Sequence, residues 1–259
     1  MDFYLETIEP EQGNTYLFNG EWRDLEIRKE IIHAKGGGEH ERTLKFTHRG
    51  PIISSFKNVK DQAISMRWTG NDMSNELRSI YLLNRAGGWD DFRDALRTMT
   101  SVSQNIVYAD VDGNIGLQTA VGIPLRANGN GWFVYPGETD RYDWTGMVPF
   151  EEVPFVFNPA SGEVSSANNR TVPDDYPHYI GYQYALPYRI DRIRELLSSR
   201  ERHNAEHFRL MMGDYHSKLV ERFLPGLLKV LSEESMRGNS EKALDLLRTW
   251  SGEVLKDSP

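Results

Sequence analysis

The sequence contains no cysteine, and this absence excludes several kinds of chemistry at once. Disulfide bonds, thiolate zinc sites and cysteine nucleophiles all need a side chain that the chain lacks. The redox compartment therefore stays undetermined. No apolar run approaches the roughly 20 residues of a membrane-spanning helix. The start, MDFYLETIEP, has neither the basic region nor the apolar region of a secretory signal.

An excess of positive charge is also missing. The 259 residues include 38 acidic and 30 basic side chains, which gives a net charge of -8. A negative surface repels phosphate backbones and anionic headgroups, so we expect neither a nucleic acid nor a membrane as the main partner. The length fits one large domain or two closely joined domains with a substantial core.

Short runs of alternating apolar and polar residues fill the first part of the chain and predict antiparallel strands. The Asn19-Gly20 pair interrupts these runs and favours a tight hairpin turn. The Gly36-Gly37-Gly38 run is interpreted as the next turn, because a phosphate loop would need a flanking lysine-serine pair and a following helix. This part of the sequence therefore predicts hairpins.

The apolar spacing changes to three and four residues at about residues 72–100, which predicts two helices. Alternation returns around Asp112-Gly113, a strong hairpin signal that lacks the glycine and glutamate positions of an EF-hand. Residues 188–259 are mainly helical in pattern, whereas residues 1–187 are mainly strands with the two helices. This order predicts an α+β fold in which antiparallel strands and hairpins precede C-terminal helices.

The segment from His203 to His207 reads H-x-x-E-H, a spacing by which one helix can offer two imidazoles to zinc. Asn204, however, occupies the position of a helix N-cap, so His203 would precede the helix and His207 would lie in its first turn. The two rings then need not share a face. A zinc peptidase is therefore kept only as a third hypothesis. A serine nucleophile of the G-x-S-x-G type is absent from the sequence.

Five blocks carry a more specific signal. They are THRGPIIS, SQNIVYADVDGNIGLQTA, GETDRYDWTGMVPFEEVP, NPASGEVSSANNRTVPDDYP and PYRIDRIRELL. Together, and in this order, they resemble successive blocks of the penicillin acylase family. The resemblance covers nearly the whole chain.

The resemblance implies part of the αββα fold of N-terminal nucleophile hydrolases. In this family the catalytic serine is the first residue of a β subunit released by self-cleavage, and its own α-amino group is the base. By position in the motif, Asn168 would donate a hydrogen bond to the oxyanion and Arg189 would order the site. Ser166-Ala167-Asn168 is expected to end a strand, and Asn169 is expected to begin a turn.

Two departures from the family pattern limit what can be transferred. The family's serine opens a Ser-Asn pair, and the one such pair here, Ser74-Asn75, is predicted to cap a helix. The family usually has His-Gly-Pro where this sequence has His48-Arg49-Gly50-Pro51. We therefore expect His48 to be a polar residue at a strand end. The chain, residues 1–259, is expected to be a single internal fragment of an acylase β subunit, inactive alone because the nucleophile is missing.

The resemblance also implies an ion and partners. No cofactor is required for the chemistry, but calcium is the usual ion of the complete enzyme, and Asp2 aligns with the last of one acidic group. A lone carboxylate is a weak site for a cation that takes about six to eight oxygens, so a solvated N-terminal residue is the alternative. The implied partners are the remainder of the acylase precursor, with its α subunit, and a small-molecule amide substrate. The substrate class is a β-lactam side chain or an N-acyl homoserine lactone.

A second hypothesis is a noncatalytic binding or scaffold module derived from the same fold. The sequence upstream of Met1 would separate it from the acylase hypothesis. The compartment stays open between a periplasmic or extracellular location of the parent enzyme and the cytoplasm.

Overall fold

A computed structural model describes residues 1–11, 13–54, 62–232 and 237–258. The predicted α+β class is confirmed. The strands are β1 (Asp2–Thr7), β2 (Thr15–Phe18), β3 (Glu21–Asp24), β4 (Glu26–Ala34), β5 (Gly38–Thr47), β6 (Gly50–Pro51), β7 (Gln62–Arg67), β8 (Gln104–Ala109), β9 (Ile115–Ala120), β10 (Pro124–Arg126), β11 (Val134–Pro136), β12 (Trp144–Met147) and β13 (Phe155–Phe157).

The helices lie where the apolar spacing predicts them. They are α1 (Glu76–Leu83), α2 (Trp89–Leu96), α3 (Tyr188–Ser198), α4 (Ala205–Met212), α5 (Lys218–Ser232) and α6 (Asn239–Thr249). In the part of the chain that the structure describes, none of them is long and apolar enough to cross a membrane. The chain divides into two compact units, one of residues 1–157 and 172–182, the other of residues 158–171 and 183–259.

Hairpins build much of the first unit. Asn19 and Gly20 connect β2 to β3 with φ angles of 50° and 81°, as a two-residue turn of this type requires. Gly36 and Gly38 have positive φ angles in the turn between β4 and β5, so the glycine run is the turn that the sequence predicts. The β4–β5 pair extends over nine residues in register, and β4 is exposed along its whole length.

The hairpin around Asp112-Gly113 is confirmed, although its connection is longer than that dipeptide. Strands β8 and β9 pair from Ala109 opposite Ile115 onward. The carboxylate of Asp110 accepts hydrogen bonds from the backbone N–H groups of Asp112 (3.0 Å) and Asn114 (2.9 Å). A hydrogen bond from the Asn114 side chain, together with these backbone bonds, lowers the pKa of Asp110. The acidic residue therefore organises a turn.

One pairing in the first unit differs from the antiparallel pattern that the hairpins predict. Strand β1 pairs antiparallel with β7 on one side but parallel with β11 on the other. The partners in the parallel pair, Phe3 and Val134, are far apart in sequence, so no turn signal connects them. Local patterns specify hairpins, whereas a distant parallel pairing depends on the whole fold.

An aromatic core anchors α2 to the sheet of β8, β9 and β13. Phe92 and Leu96 of α2 are buried together with Ala120 of β9. The indole of Trp89 stacks on Phe157 with the ring centroids 4.7 Å apart. Gly116 allows this approach, because a Cβ there would lie 2.4 Å from the Trp89 ring.

The second unit consists of α3–α6 and the irregular segment 158–171. Ile190 of α3 and Leu244 of α6 are buried. Helix α4 ends at Met212, and the five residues 213–217 separate it from α5, which explains the interruption that the sequence pattern shows between them. The residues of greatest functional interest, Asn168 and Arg189, both belong to this unit.

Candidate functional site

The segment that contains Asn168 is irregular. No strand is assigned to residues 158–171, so the expectation that Ser166-Ala167-Asn168 ends a strand is wrong. Side chains replace the strand ladder as partners of this backbone: the amide N–H of Ala167 donates to the Asn169 side chain, and the carbonyl of Ala167 accepts from Arg189. The segment is therefore fixed by residues that propensity alone does not identify.

Asn168 has a left-handed backbone conformation with φ of 62°. Residues with a Cβ rarely adopt this conformation, and asparagine is among the few that tolerate it. The carbonyl oxygen of Asn168 accepts a hydrogen bond of 2.8 Å from the amide of Ala185. The side chain is exposed although the preceding residue, Ala167, is buried. The backbone thus places the Asn168 side chain at the surface.

Arg189 lies in the first turn of α3 and contacts this segment directly. Its Nη2 atom is 2.6 Å from Oδ1 of Asn168 and 2.6 Å from the carbonyl oxygen of Ala167. A guanidinium group has only donors, so the oxygen of the Asn168 carboxamide must face it. The structure therefore brings the two predicted residues together, with Oδ1 of Asn168 occupied and its Nδ2 directed elsewhere.

This arrangement favours donation by Nδ2 of Asn168. The positive charge beside Oδ1 polarises the carboxamide and strengthens the N–H groups as donors. A donor held in place before reaction stabilises charge that develops in a transition state without the cost of reorientation. The geometry is that of a neutral, fixed hydrogen-bond donor next to a cation.

Asn169 has a different set of contacts. Its Oδ1 atom accepts from the backbone N–H of Ala167 (3.0 Å), and its Nδ2 atom donates to the carbonyl of Arg170 (2.9 Å). Both ends of this carboxamide are thus bonded to local backbone. The contacts are those of a turn asparagine, as the sequence predicts.

Asp2 is the residue that the family resemblance relates to calcium, and the groups around it do not fit that ion. The side chain is fully buried, so the alternative of a solvated terminal residue is wrong. Arg126 donates to both oxygens, at 2.6 and 2.8 Å, and the indole N–H of Trp144 donates to Oδ2 at 2.6 Å. Calcium needs several oxygen ligands, whereas these neighbours are donors. Among the described residues, no three acidic or histidine side chains form a group that could hold a metal ion.

Comparison with known proteins decides the family. The sequence matches the penicillin amidase family over residues 1–259. The chain belongs to the penicillin amidase family. Members of this family are amidohydrolases, and penicillin acylases are among them.

Relatives of two named activities are similar to this member of the family. Penicillin acylase 2 proenzyme of Pseudomonas sp. (strain SE83) is 32% identical over 76% of this chain and 25% of that protein. The acyl-homoserine lactone acylase QuiP of Pseudomonas fluorescens (strain Pf0-1) is 27% identical over 98% of this chain and 33% of that protein. Penicillin G acylase of Escherichia coli is 27% identical over 97% of this chain and 30% of that protein. The chain thus spans a third or less of the length of these relatives.

A solved structure confirms the fold expected of a penicillin amidase. A thermostable penicillin G acylase from Alcaligenes faecalis superposes with a TM-score of 0.78 at 25% identity. The match covers 99% of this chain and 46% of that chain. The mixed α+β architecture is accordingly that of an N-terminal nucleophile hydrolase.

Two further motifs of this chain, the H-x-x-E-H segment and the Ser74-Asn75 pair, lie at helix starts. Asn204 caps α4 as predicted, with His207 in the first turn. The Nε2 atom of His203 contacts the carbonyl of Leu197 at 2.7 Å, and Nδ1 of His207 accepts from the Asn204 amide at 3.3 Å. The two rings are perpendicular. The H-x-x-E-H segment therefore forms a helix start.

The Ser74-Asn75 pair also begins a helix. Oδ1 of Asn75 accepts from the amide of Arg78 at 3.0 Å, which confirms the predicted cap of α1. Oγ of Ser74 accepts from the amides of Thr100 (2.9 Å) and Ser101 (3.2 Å). This hydroxyl ties two chain segments together, as expected of a structural serine.

The buried charged residues around Arg49 were not predicted from the sequence. Arg49 is 4% exposed, and its guanidinium donates to Glu6 (3.1 Å) and Asp143 (2.6 Å). Burial favours a raised pKa of Asp143, but hydrogen bonds from His48 and Arg49 outweigh it and hold the pKa below its usual value. His48 follows β5 directly, as predicted for a strand-end residue.

A signal for these buried charges exists in β1. Its alternating burial places Asp2, Tyr4 and Glu6 on one inward face. Acidic residues at the inward positions of an alternating strand need buried cations, because an unpaired buried charge is costly. The arginines that pair with them, Arg126 and Arg49, have no comparable local pattern.

Proposed function

We propose that this chain is part of a penicillin-acylase-like amidohydrolase that hydrolyses the amide bond of a small N-acylated amine. In this proposal Asn168 donates a hydrogen bond to the oxyanion and Arg189 holds it in place. The nucleophile in this proposal is the N-terminal serine of the family, because the one Ser-Asn pair of these 259 residues, Ser74-Asn75, caps α1 instead. The substrate class is a β-lactam side chain or an N-acyl homoserine lactone, the two classes that the relatives' names describe.

The reaction consists of two acyl transfers. The serine hydroxyl adds to the amide carbonyl carbon and gives its proton to the α-amino group of the same residue. Negative charge then develops on the carbonyl oxygen, where Nδ2 of Asn168 donates. The C–N bond breaks, the amine leaves with that proton, and water hydrolyses the acyl-enzyme in the same manner. Asn168 acts in both steps.

The contact between Nη2 of Arg189 and Oδ1 of Asn168, at 2.6 Å, is the observation that supports this assignment most strongly. It occupies the acceptor of the carboxamide and leaves the donor free to point outward. The left-handed backbone at Asn168 adds support, because strained conformations concentrate at functional sites.

Substitution of Asn168 in the complete acylase tests the proposal. Asn168→Gly removes the carboxamide and still permits the left-handed backbone, whereas Asn168→Ala adds backbone strain to the loss. Loss of one oxyanion donor should lower kcat on the order of 100- to 1000-fold with little change in KM. Steady-state kinetics with a phenylacetylated chromogenic amide and an N-acyl homoserine lactone measures both constants and identifies the preferred class.

Asn169→Ala is the matched control. Its carboxamide stabilises a turn, so we expect a loss of stability of about 1 kcal/mol and nearly normal turnover. Self-cleavage of the precursor can need the same donor as catalysis, so the mass of the β chain must be checked before the kinetics are compared. If processed Asn168→Gly enzyme keeps its kcat, Asn168 is only a turn residue. Absence of amide hydrolysis by the processed parent enzyme would favour the scaffold hypothesis.

A further inference from the structure

Helix α3 presents three polar side chains on one face, at spacings of three residues. Arg189 is the first of them, and Arg192 and Glu195 follow. Residues three apart on a helix are neighbours along one side, so any group that fixes one of them also restricts the others. The helix orientation that brings Arg189 to Asn168 is therefore restricted by the partners of Arg192 and Glu195.

Arg192 is held by a two-point ion pair with Asp214. Its Nε is 3.0 Å from Oδ1 and its Nη2 is 2.6 Å from Oδ2 of that carboxylate. Both side chains are mostly buried, at 23% and 19% exposure. A paired arrangement of this kind fixes the direction of the guanidinium as well as its distance. Asp214 lies directly after α4, where its amide donates to the carbonyl of Met211.

The same face of α3 has a second connection. Glu195 accepts from Arg192 at 2.8 Å and lies 3.1 Å from Nζ of Lys218, the first residue of α5. Arg189, Arg192, Asp214 and Lys218 line one cleft of about 370 Å³. The ion pairs thus connect α3 to the segment between α4 and α5 beside the residue that holds Asn168.

We propose that Asp214 is a positioning residue for the oxyanion donor: it fixes Arg192, and through α3 it fixes Arg189 against Asn168. This inference rests on the proposed function. Of the two connections, the Arg192–Asp214 pair is the better candidate for this role, because Glu195 is 48% exposed and its contacts are screened by water. The hydrogen bond from Arg192 is the main cause that lowers the pKa of Asp214, and a lowered pKa favours the charged carboxylate that this ion pair needs.

The test uses Asp214→Asn in the complete, processed acylase. The amide of the variant cannot form the charged two-point pair with Arg192. The positions of Arg189 and Asn168 should then be less well fixed. We expect kcat to fall on the order of 10-fold, because small displacements of positioned groups have large effects on rate. KM should change less than about 2-fold, since the oxyanion contact exists only around the transition state. Asp214→Glu should recover part of the loss.

The control is Glu206→Gln. Glu206 also forms a two-point pair with Arg209, at 2.6 and 2.7 Å, but that pair lies within α4 and on its surface. The Glu206→Gln variant should therefore have an unchanged kcat. If Asp214→Asn does not fold, Arg192→Lys serves instead, because lysine keeps the charge but cannot form the two-point pair.

A double-mutant cycle separates positioning from general stability. If Asp214 acts through Asn168, adding Asp214→Asn to Asn168→Gly should lower kcat by less than about 2-fold further. Equal losses in both backgrounds, or a result like that of Glu206→Gln, would overturn this inference and leave the oxyanion assignment intact. Normal kcat in Asn168→Gly would instead remove the proposed function, and this inference with it.

Discussion

Asparagine occupies each described non-glycine position with a positive φ angle, namely Asn19, Asn158 and Asn168. At Asn19 the hairpin between β2 and β3 explains the conformation. At Asn168 no hairpin exists, and the conformation serves to expose a carboxamide whose oxygen is held by Arg189. The same residue type thus has a folding role at one position and, in our proposal, a catalytic role at the other.

Replacement of Arg126 tests the interpretation of Asp2 as half of an ion pair. Arg126→Ala leaves a fully buried carboxylate without its cation, which should reduce the free energy of unfolding by about 3–5 kcal/mol. Arg28→Ala is the control, because the Arg28–Glu26 pair is equally short, at 2.6 Å, but exposed, and its loss should leave Tm nearly unchanged. Thermal and urea unfolding measure both.

Calcium provides the complementary measurement. A bound cation stabilises the folded state and raises Tm. Because Arg126 and Trp144 already donate to the Asp2 oxygens, neither millimolar calcium nor a chelator should shift the Tm of the 259-residue chain. A calcium-dependent rise that disappears in Asp2→Asn would contradict the ion-pair interpretation.

At the residue scale, position in the family motif predicted that Asn168 and Arg189 are site residues, but it did not predict the hydrogen bond between them. The two are 21 positions apart, and their distance depends on where α3 begins. The sequence does not identify Asp214 or Arg49 either, because the tertiary structure determines which residue pairs with a buried charge. The acidic pattern of β1 indicates that such partners exist without naming them.

Helix starts are the elements whose sequence signals proved most informative. Asn75 and Asn204 each accept a backbone N–H three residues later, as their positions predict. Such caps satisfy one of the amide groups that a helix leaves unpaired at its first turn. Both motifs that superficially resembled catalytic sites, Ser74-Asn75 and the His203–His207 segment, are explained by these caps.

Substitution of Asn75 tests the cap of α1. Asn75→Ala removes the acceptor for the Arg78 amide and should lower the free energy of unfolding by about 1 kcal/mol. Asn75→Asp keeps an acceptor at the same place and should be close to the parent chain. Urea unfolding followed by circular dichroism compares the three. Equal stability of the alanine and aspartate variants would argue against a cap.

Elements that depend on distant partners were predicted less well. The parallel pairing of β1 with β11 joins segments more than a hundred positions apart, and hairpin signals do not specify it. The irregular course of residues 158–171 was also missed, because its backbone partners are side chains of Asn169 and Arg189. A periodic apolar pattern predicts a helix or strand with one buried face, and this irregular segment has no such face.

At the scale of the whole molecule, the length of the relatives is decisive. The chain corresponds to a third or less of the length of three relatives, two penicillin acylases and an acyl-homoserine lactone acylase, and to 46% of one solved chain. In our proposal catalysis combines an oxyanion donor with a serine and its own amine, and these residues supply a candidate for the donor. The activity therefore belongs to a larger protein in our proposal.

The 259-residue chain alone should consequently neither cleave itself nor hydrolyse amides, since its one Ser-Asn pair, Ser74-Asn75, caps α1 and provides no serine whose own α-amino group could act as base. Mass spectrometry should give the intact chain after prolonged incubation. No chromogenic amine should be released from phenylacetylated or longer acylated substrates above a mock preparation, whereas the complete acylase should release it. Hydrolysis by the chain would overturn this prediction. Loss of that hydrolysis in Ser74→Ala would then identify Ser74, which the structure assigns to the start of α1, as the nucleophile.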